Sequence, residues 1–238
     1  LAAFVRTTPD LGASRVMPGV PLFHTAAARG QLDAVKLLAT PEVPADIADA
    51  WGRSALYHAT TNRDAGEAIL SWLRSRGVTT TVFDVLWLGD HARLAALLAE
   101  RPALIRTTNI LGLTPLLSAV DRGDPEAVRR LVAAGADPNE PAGEARLPFP
   151  GAVLSGTVPL HLAAWSNRVD LAEQLKGANV NATNRIGYTA LHFAAARGHR
   201  EIADWLLEHG SLANAQSIGS NTVMRPGVAR VVSADSAA

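Results

Sequence analysis

Three of the seven histidines, His24, His161 and His192, sit in similar local sequence, and three imidazoles could ligate a metal or relay protons. Their spacing argues otherwise. His192 and His199 are seven residues apart and His209 lies ten further on, whereas a zinc site asks for an i, i+4 pair or a Cys/His set. The chain has no cysteine, which removes the second option along with disulfides and thiolate nucleophiles. Asp121 and Asp124 could pair as acid and base. They flank a helix–helix turn, where a carboxylate stabilises the start of the next helix. Ser118, Ser155 and Ser166 lack the G-x-S-x-G elbow, and Gly77-Val78-Thr79-Thr80-Thr81 lacks the spacing of a phosphate loop. No nucleophile, base and orienting group can be assembled from spacing. The expectation is therefore no catalytic residue, no bound metal and no cofactor.

Composition narrows the partners. The 238 residues carry 22 basic and 22 acidic side chains, so the basic excess that phosphate binding needs is missing and no nucleic-acid partner is expected. No run of about 18 apolar residues exists, so no membrane insertion is expected. The chain begins at Leu1 and shows no signal peptide. This reads as a cytoplasmic protein, or as a processed secreted or periplasmic form, and as a possible piece of a longer chain with other domains.

The elements that must position these residues come from repetition. Leu22-Phe23-His24-Thr25-Ala26-Ala27 opens one unit, and Ser54-Ala55-Leu56-Tyr57-His58-Ala59 opens the next 33 residues later. Thr114-Pro115-Leu116-Leu117-Ser118-Ala119, Val158-Pro159-Leu160-His161-Leu162-Ala163-Ala164 and Thr189-Ala190-Leu191-His192-Phe193-Ala194-Ala195 follow. A T-P-L-H-x-A motif at a period near 33 resembles the ankyrin-repeat family. The resemblance implies an all-α solenoid of about six helix-turn-helix repeats joined by β-hairpin loops. It covers 16–222, with 1–15 an N-terminal extension and 223–238 a disordered tail or linker.

The copies are uneven. Helices are expected over Leu22–Arg29, Leu32–Ala39, Ala68–Arg74, Val82–Leu88 and His91–Ala99. The third unit has its hairpin truncated to Gly77–Thr81, and Phe83 stands at its motif-histidine position. The fifth unit arrives late because of a Pro- and Gly-rich insertion, 140–156, read as an excursion from the hairpin side. The sixth arrives early, with about two residues lost near Gln174-Leu175-Lys176-Gly177.

By resemblance, the motif histidine hydrogen-bonds hairpin backbone and braces neighbouring repeats, the motif Thr caps the first helix, and Pro takes its first position. Tyr57, Phe83 and Leu117 then exchange that brace for packing, so the middle junctions are expected to be less well satisfied. The family's variable positions, around the turn glycine and at the end of the first helix, face a concave groove. Here they are Trp51 and Arg53 about Gly52; Trp87 before Gly89; Ile110, Leu111 and Leu113 about Gly112, with Arg122 following; Trp165; and Arg185, Ile186 and Tyr188 about Gly187, with Arg197 following. Bulky apolar and Arg side chains are the composition of interface anchors. The alternatives are that Trp87 fills the gap of the shortened hairpin and Trp165 packs on the insertion. Trp72 and Trp205 lie in apolar stretches of second helices and read as core. The functional expectation is a non-catalytic scaffold binding a protein or peptide through the concave face. The alternative is an enzyme, or the regulatory arm of one, with a pocket near 140–156 lined by Arg146, Phe149 and His161.

Overall fold

The computed structural model describes residues 15–17, 20–39, 45–62, 66–143 and 156–215. The expectations for 1–14, for the body of the insertion and for the tail lie outside them. The chain divides into two compact units, Leu1–Leu111 and Gly112–Ala238.

In the first unit a two-stranded antiparallel ribbon, β1 (Arg15–Met17) with β2 (Val20–Pro21), leads into three helix pairs. They are α1 (Leu22–Ala28) with α2 (Leu32–Leu38), α3 (Ala55–Thr60) with α4 (Gly66–Ser75), and α5 (Val82–Leu88) with α6 (His91–Glu100). A 3-10 turn, Pro102–Arg106, follows. The second unit has α7 (Pro115–Asp121) with α8 (Pro125–Ala133), α9 (Pro159–Trp165) with α10 (Val169–Gln174), and α11 (Ala190–Arg197) with α12 (Arg200–Glu208). Within each unit first helices pack on first helices and second on second, α1 on α3 on α5 and α7 on α9 on α11. This is nearest-neighbour stacking, in which no pair buries its apolar face alone.

Local sequence sets the ends of these short helices. Ser54 and Thr114 accept from the backbone N–H of Leu56 and Leu117, satisfying donors that a helix start leaves open. Asp124 accepts from Ala127 N at 3.0 Å, so it is a cap and not half of an acid–base pair. Where α1, α5, α7 and α11 close on a glycine of positive φ, α9 closes on Asn167 in the left-handed region at φ 53°, a role asparagine fills best among side-chain residues. Second helices carry the core: Ile69 and Leu73 in the first unit, Leu131, Leu171 and Ile202 in the second, all fully buried. Trp72 packs against that core as expected.

Loops between pairs are tied by side-chain amides. Asn139 donates to the Gly177 carbonyl and accepts from Asn179 N at 2.7 Å; Asn181 repeats this one junction later with Gly210 and Leu212. The insertion leaves and re-enters through a closed base, where Ala142 N donates to Thr157 O and Gly156 N to Ala142 O.

The third pair corrects the reading of Phe83. Its helix starts from the cap Thr81, so the fourth motif position is Asp84, and Phe83 takes the apolar place held elsewhere by Leu56 and Leu160. Counting back from Gly89 misleads because α5 is one residue shorter than α9 between its start and the closing residue. Asp84 is buried, and its carboxylate accepts from Thr81 N, Ser54 N and Ser54 Oγ at 2.6–2.8 Å. Thr81 Oγ1 adds a bond to the Gly52 carbonyl. Gly52 itself leaves no room for a side chain, since a Cβ would lie 2.5 Å from the Phe83 ring. The junction expected to be poorly satisfied is held by three polar contacts that cross it. Asp84→Ala strands two backbone donors and a hydroxyl, and is expected to lower unfolding stability by about 2 kcal/mol or more. Chemical denaturation checks this; a loss no larger than that of the exposed control Glu100→Ala shows that the bridge is not holding the junction.

Candidate functional site

Each hairpin tip is built on one acceptor. In the first unit Asp49 Oδ1 takes the N–H groups of Trp51 and Arg53, both at 2.9 Å, while Gly52 N donates to the Asp49 carbonyl. In the second unit Asn184 Oδ1 takes Ile186 N at 3.1 Å and Tyr188 N at 2.9 Å in the same way. An asparagine is then used up, because its other terminal atom is a donor. An aspartate has a second oxygen. Asp49 Oδ2 accepts Arg53 Nε at 2.6 Å and meets His58 Nε2 at 3.0 Å.

That difference builds the first cluster. With Nε fixed by Asp49, the Arg53 guanidinium lies over three rings: Trp51 at 4.8 Å, Tyr57 at 4.8 Å and Trp87 at 4.6 Å. Tyr57 and Trp87 meet edge to face at 6.3 Å. Three anticipated residues, Trp51, Arg53 and Trp87, are thus brought together. Tyr57 was assigned to packing, yet it is a wall of the same cluster. Burial alone pushes the Asp49 carboxyl up, but His58, Arg53 and the backbone donors outweigh it and hold it below the usual carboxylate range.

The second cluster is more open. Trp165 closes α9 with 37% of its surface exposed, and the Arg197 guanidinium lies over its ring at 4.5 Å. Phe193 meets Trp165 edge to face at 6.1 Å and Tyr188 at 6.0 Å. His199 Nε2 lies 3.1 Å from the Trp165 carbonyl. Tyr188 is half-buried and stacks on His192 at 5.3 Å and 11°, so it is chiefly a packing residue. Arg185 and Ile186 are exposed at the hairpin tip, Ile186 to 40%.

Leu111 and Leu113 were expected at this surface and do not reach it: each is 5% exposed. Leu113 stands where Arg53 and Tyr188 stand in their hairpins, and all three turn inward, so this position packs under the tip. Ile110 and Arg122 are half-buried. Phe193, which joins Tyr188 to Trp165, was missed; its signal was a phenyl ring where the other quoted motif copies carry Thr25, His58, Ser118 or Leu162.

Of the three motif histidines, His161 acts as a backbone brace between repeats. His161 Nδ1 accepts from Val158 N, and Nε2 donates to the Ala182 carbonyl of the next hairpin at 2.9 Å. With both nitrogens committed and the ring buried, His161 lines no pocket; Arg146 and Phe149 lie outside the described residues. His192 Nδ1 accepts from Thr189 N. His24 faces the carbonyls of Ile47 and Arg53, Ile47 standing where Ala182 stands, but neither ring nitrogen reaches hydrogen-bond geometry. Its ring meets His58 edge to face at 4.9 Å. Among the described residues no three His, Cys, Asp or Glu side chains are placed to hold a metal ion.

Two expected outcomes follow from these environments. Burial holds His24 down to about 3 and His161 to about 4, with His58 adding to the effect at His24. The unfolded chain therefore binds protons first as pH falls below about 6.5, and stability drops through that window by about 2 kcal/mol per histidine by pH 5. Asp49 adds a second loss below the ordinary carboxylate range, since its ionised form is the stabilised one. Denaturation midpoints measured from pH 7 to 5 should fall, and less steeply in His161→Gln; a flat profile contradicts the assignment. Arg53→Ala removes the partner of a buried carboxylate and the plug among three rings. It is expected to cost about 2 kcal/mol or more and to red-shift tryptophan emission; emission unchanged from the wild type contradicts the packed cluster.

Comparison with known proteins agrees with the architecture. Residues 160–224 match the family model for ankyrin repeats in three copies, and 111–142 match that of the single ankyrin repeat. The chain is 34% identical over 141 residues to human ankyrin repeat domain-containing protein 63, covering 58% of this chain and 35% of that protein. It is 28% identical over 219 residues to the E3 ubiquitin-protein ligase KEG of Arabidopsis thaliana, covering 83% and 13%. It is 34% identical over 122 residues to NF-kappa-B inhibitor alpha of Sus scrofa, covering 48% and 35%. The chain thus spans about a third or less of the length of these relatives. With its paired helices, tied hairpins and the bracing His161, the chain carries ankyrin repeats, matched over 111–142 and 160–224.

Proposed function

We propose that the chain is a non-catalytic scaffold, acting in the cytoplasm, that holds a protein or peptide partner on the concave side of its repeats, where hairpin tips and first helices lie. Ankyrin repeats are general protein–protein interaction modules, and a relative named as an inhibitor of NF-kappa-B fits a binding role. The observation that carries the reading is Trp165. It is a large indole left 37% exposed at a position where α11 carries Ala196 and α7 carries Asp121, so stacking does not demand it. Exposed Ile186 extends the apolar character to the hairpin tip of the same unit. Burying an exposed tryptophan under a partner yields about 2 kcal/mol at a hot spot, roughly thirtyfold in affinity.

Tyr188 is left out of the test because its stacking on His192 makes it costly to remove. The pair Trp165→Ala with Ile186→Ser addresses the surface alone. Proteins captured from a lysate of the source by the immobilised chain are quantified by mass spectrometry for wild type and variant. A specific set should be depleted about tenfold or more with the variant, while the melting temperature stays near that of wild type. An unchanged captured set places the partner elsewhere, and a much earlier melt makes Trp165 core.

A further inference from the structure

Resting on that reading of the second unit, we infer that its partner is an acidic segment with an apolar side chain close to the acid, its carboxylate received by Arg197 above Trp165. The arginines in and just before the second helices of this unit are neutralised locally. Glu126 takes Arg129 and Arg130, each at 2.6 Å; Asp170 takes Arg168 at 2.7 Å; Asp204 takes Arg200 at 3.4 Å. Arg197, at the end of a first helix, differs. It is exposed, it lies on the Trp165 ring at 4.5 Å, and no carboxylate stands within ion-pair distance of it among the described residues.

Stacking uses one flat side of a guanidinium and leaves its N–H groups, which lie in the plane, free to bind a carboxylate side on. The first unit shows the completed form of the same chemistry. There Arg53 lies on Trp51 and Trp87 and its edge is closed by Asp49 at 2.6 Å, with only 13% of the side chain exposed. The second unit has the ring and the cation and lacks the acid. A partner that brings one completes the arrangement. Ile186, exposed at the hairpin tip, offers an apolar contact. Asp121, exposed where Trp165 stands one repeat later, repels an acid placed on α7 and so biases its seat toward Arg197.

The test uses the full chain and a phage-displayed library of short random peptides. Enriched peptides are synthesised and their affinities measured for wild type, Arg197→Ala, Arg197→Glu and Trp165→Ala. The expected result is enrichment of Asp or Glu within a few residues of Leu, Ile, Phe or Trp. Binding should weaken about tenfold in Arg197→Ala, further in Arg197→Glu, and with added salt. Peptides that lack acidic residues, or that bind Arg197→Glu as well as wild type yet lose affinity for Trp165→Ala, overturn the acidic partner and leave the partner face standing. A library yielding no binder sensitive to either residue overturns both.

Discussion

Two junctions of the structure depend on what the fourth residue of the motif does with its hydrogen bonds. A short first helix leaves backbone donors open at its start, and the place where it meets its neighbour is dry. At two junctions the residue that stands there both satisfies its own helix and reaches across. His161 does so with an imidazole, accepting at home from Val158 and donating forward to Ala182. Asp84 does so with a carboxylate, accepting at home from Thr81 and backward from Ser54. The direction of the bond reverses, but the constraint is the same, and at both junctions it registers one hairpin against the next. The tips that carry Trp51 and Ile186 are placed by that registration.

A second rule acts inside the hairpin. The residue that opens it spends one oxygen on two backbone N–H groups. When that residue is Asp49, the spare oxygen draws Arg53 inward, and aromatic side chains gather around the captured cation. When it is Asn184, no spare acceptor remains, and the inward position is taken by Tyr188, which stacks on His192 instead. One atom at the head of the loop decides whether the tip is built around a charge or around a ring.

Most of the architecture was legible because the motif is a statement about hydrogen bonds, and these recur at a fixed spacing. The caps at Ser54 and Thr114 follow from residue type, and the brace at His161 from the family resemblance. Position 84 was not legible, because a one-residue shortening inside α5 shifts the count from one end of the helix and not from the other. Leu111 and Leu113 misled for a different reason: variability in a family marks tolerance of many side chains, and a tolerant position still buries an apolar one when its neighbours close over it. The clusters around Arg53 and Trp165 combine residues 36 and 32 positions apart, Trp51 with Trp87 and Trp165 with Arg197. Proximity of that kind comes from stacking, which a linear pattern describes only one repeat at a time.

The polarity of the Asp84 bond also bears on how freely such arrays can be rearranged. Repeats are commonly thought of as cassettes, and exchange or duplication of a cassette is a plausible route for such chains to lengthen. A unit braced by a motif histidine needs only a carbonyl in the hairpin that follows, which every hairpin has. The third unit needs a hydroxyl and an amide hydrogen in the helix start that precedes it, and Ser54 offers both. Set after the helix that begins at Pro21, which has neither a hydroxyl nor an amide hydrogen, its carboxylate would be sealed in with two of its three donors missing. The third unit thus requires a helix start with a hydroxyl and an amide hydrogen before it, which Ser54 supplies, which residues of the type at Thr114 and Thr189 carry, and which Pro21 lacks.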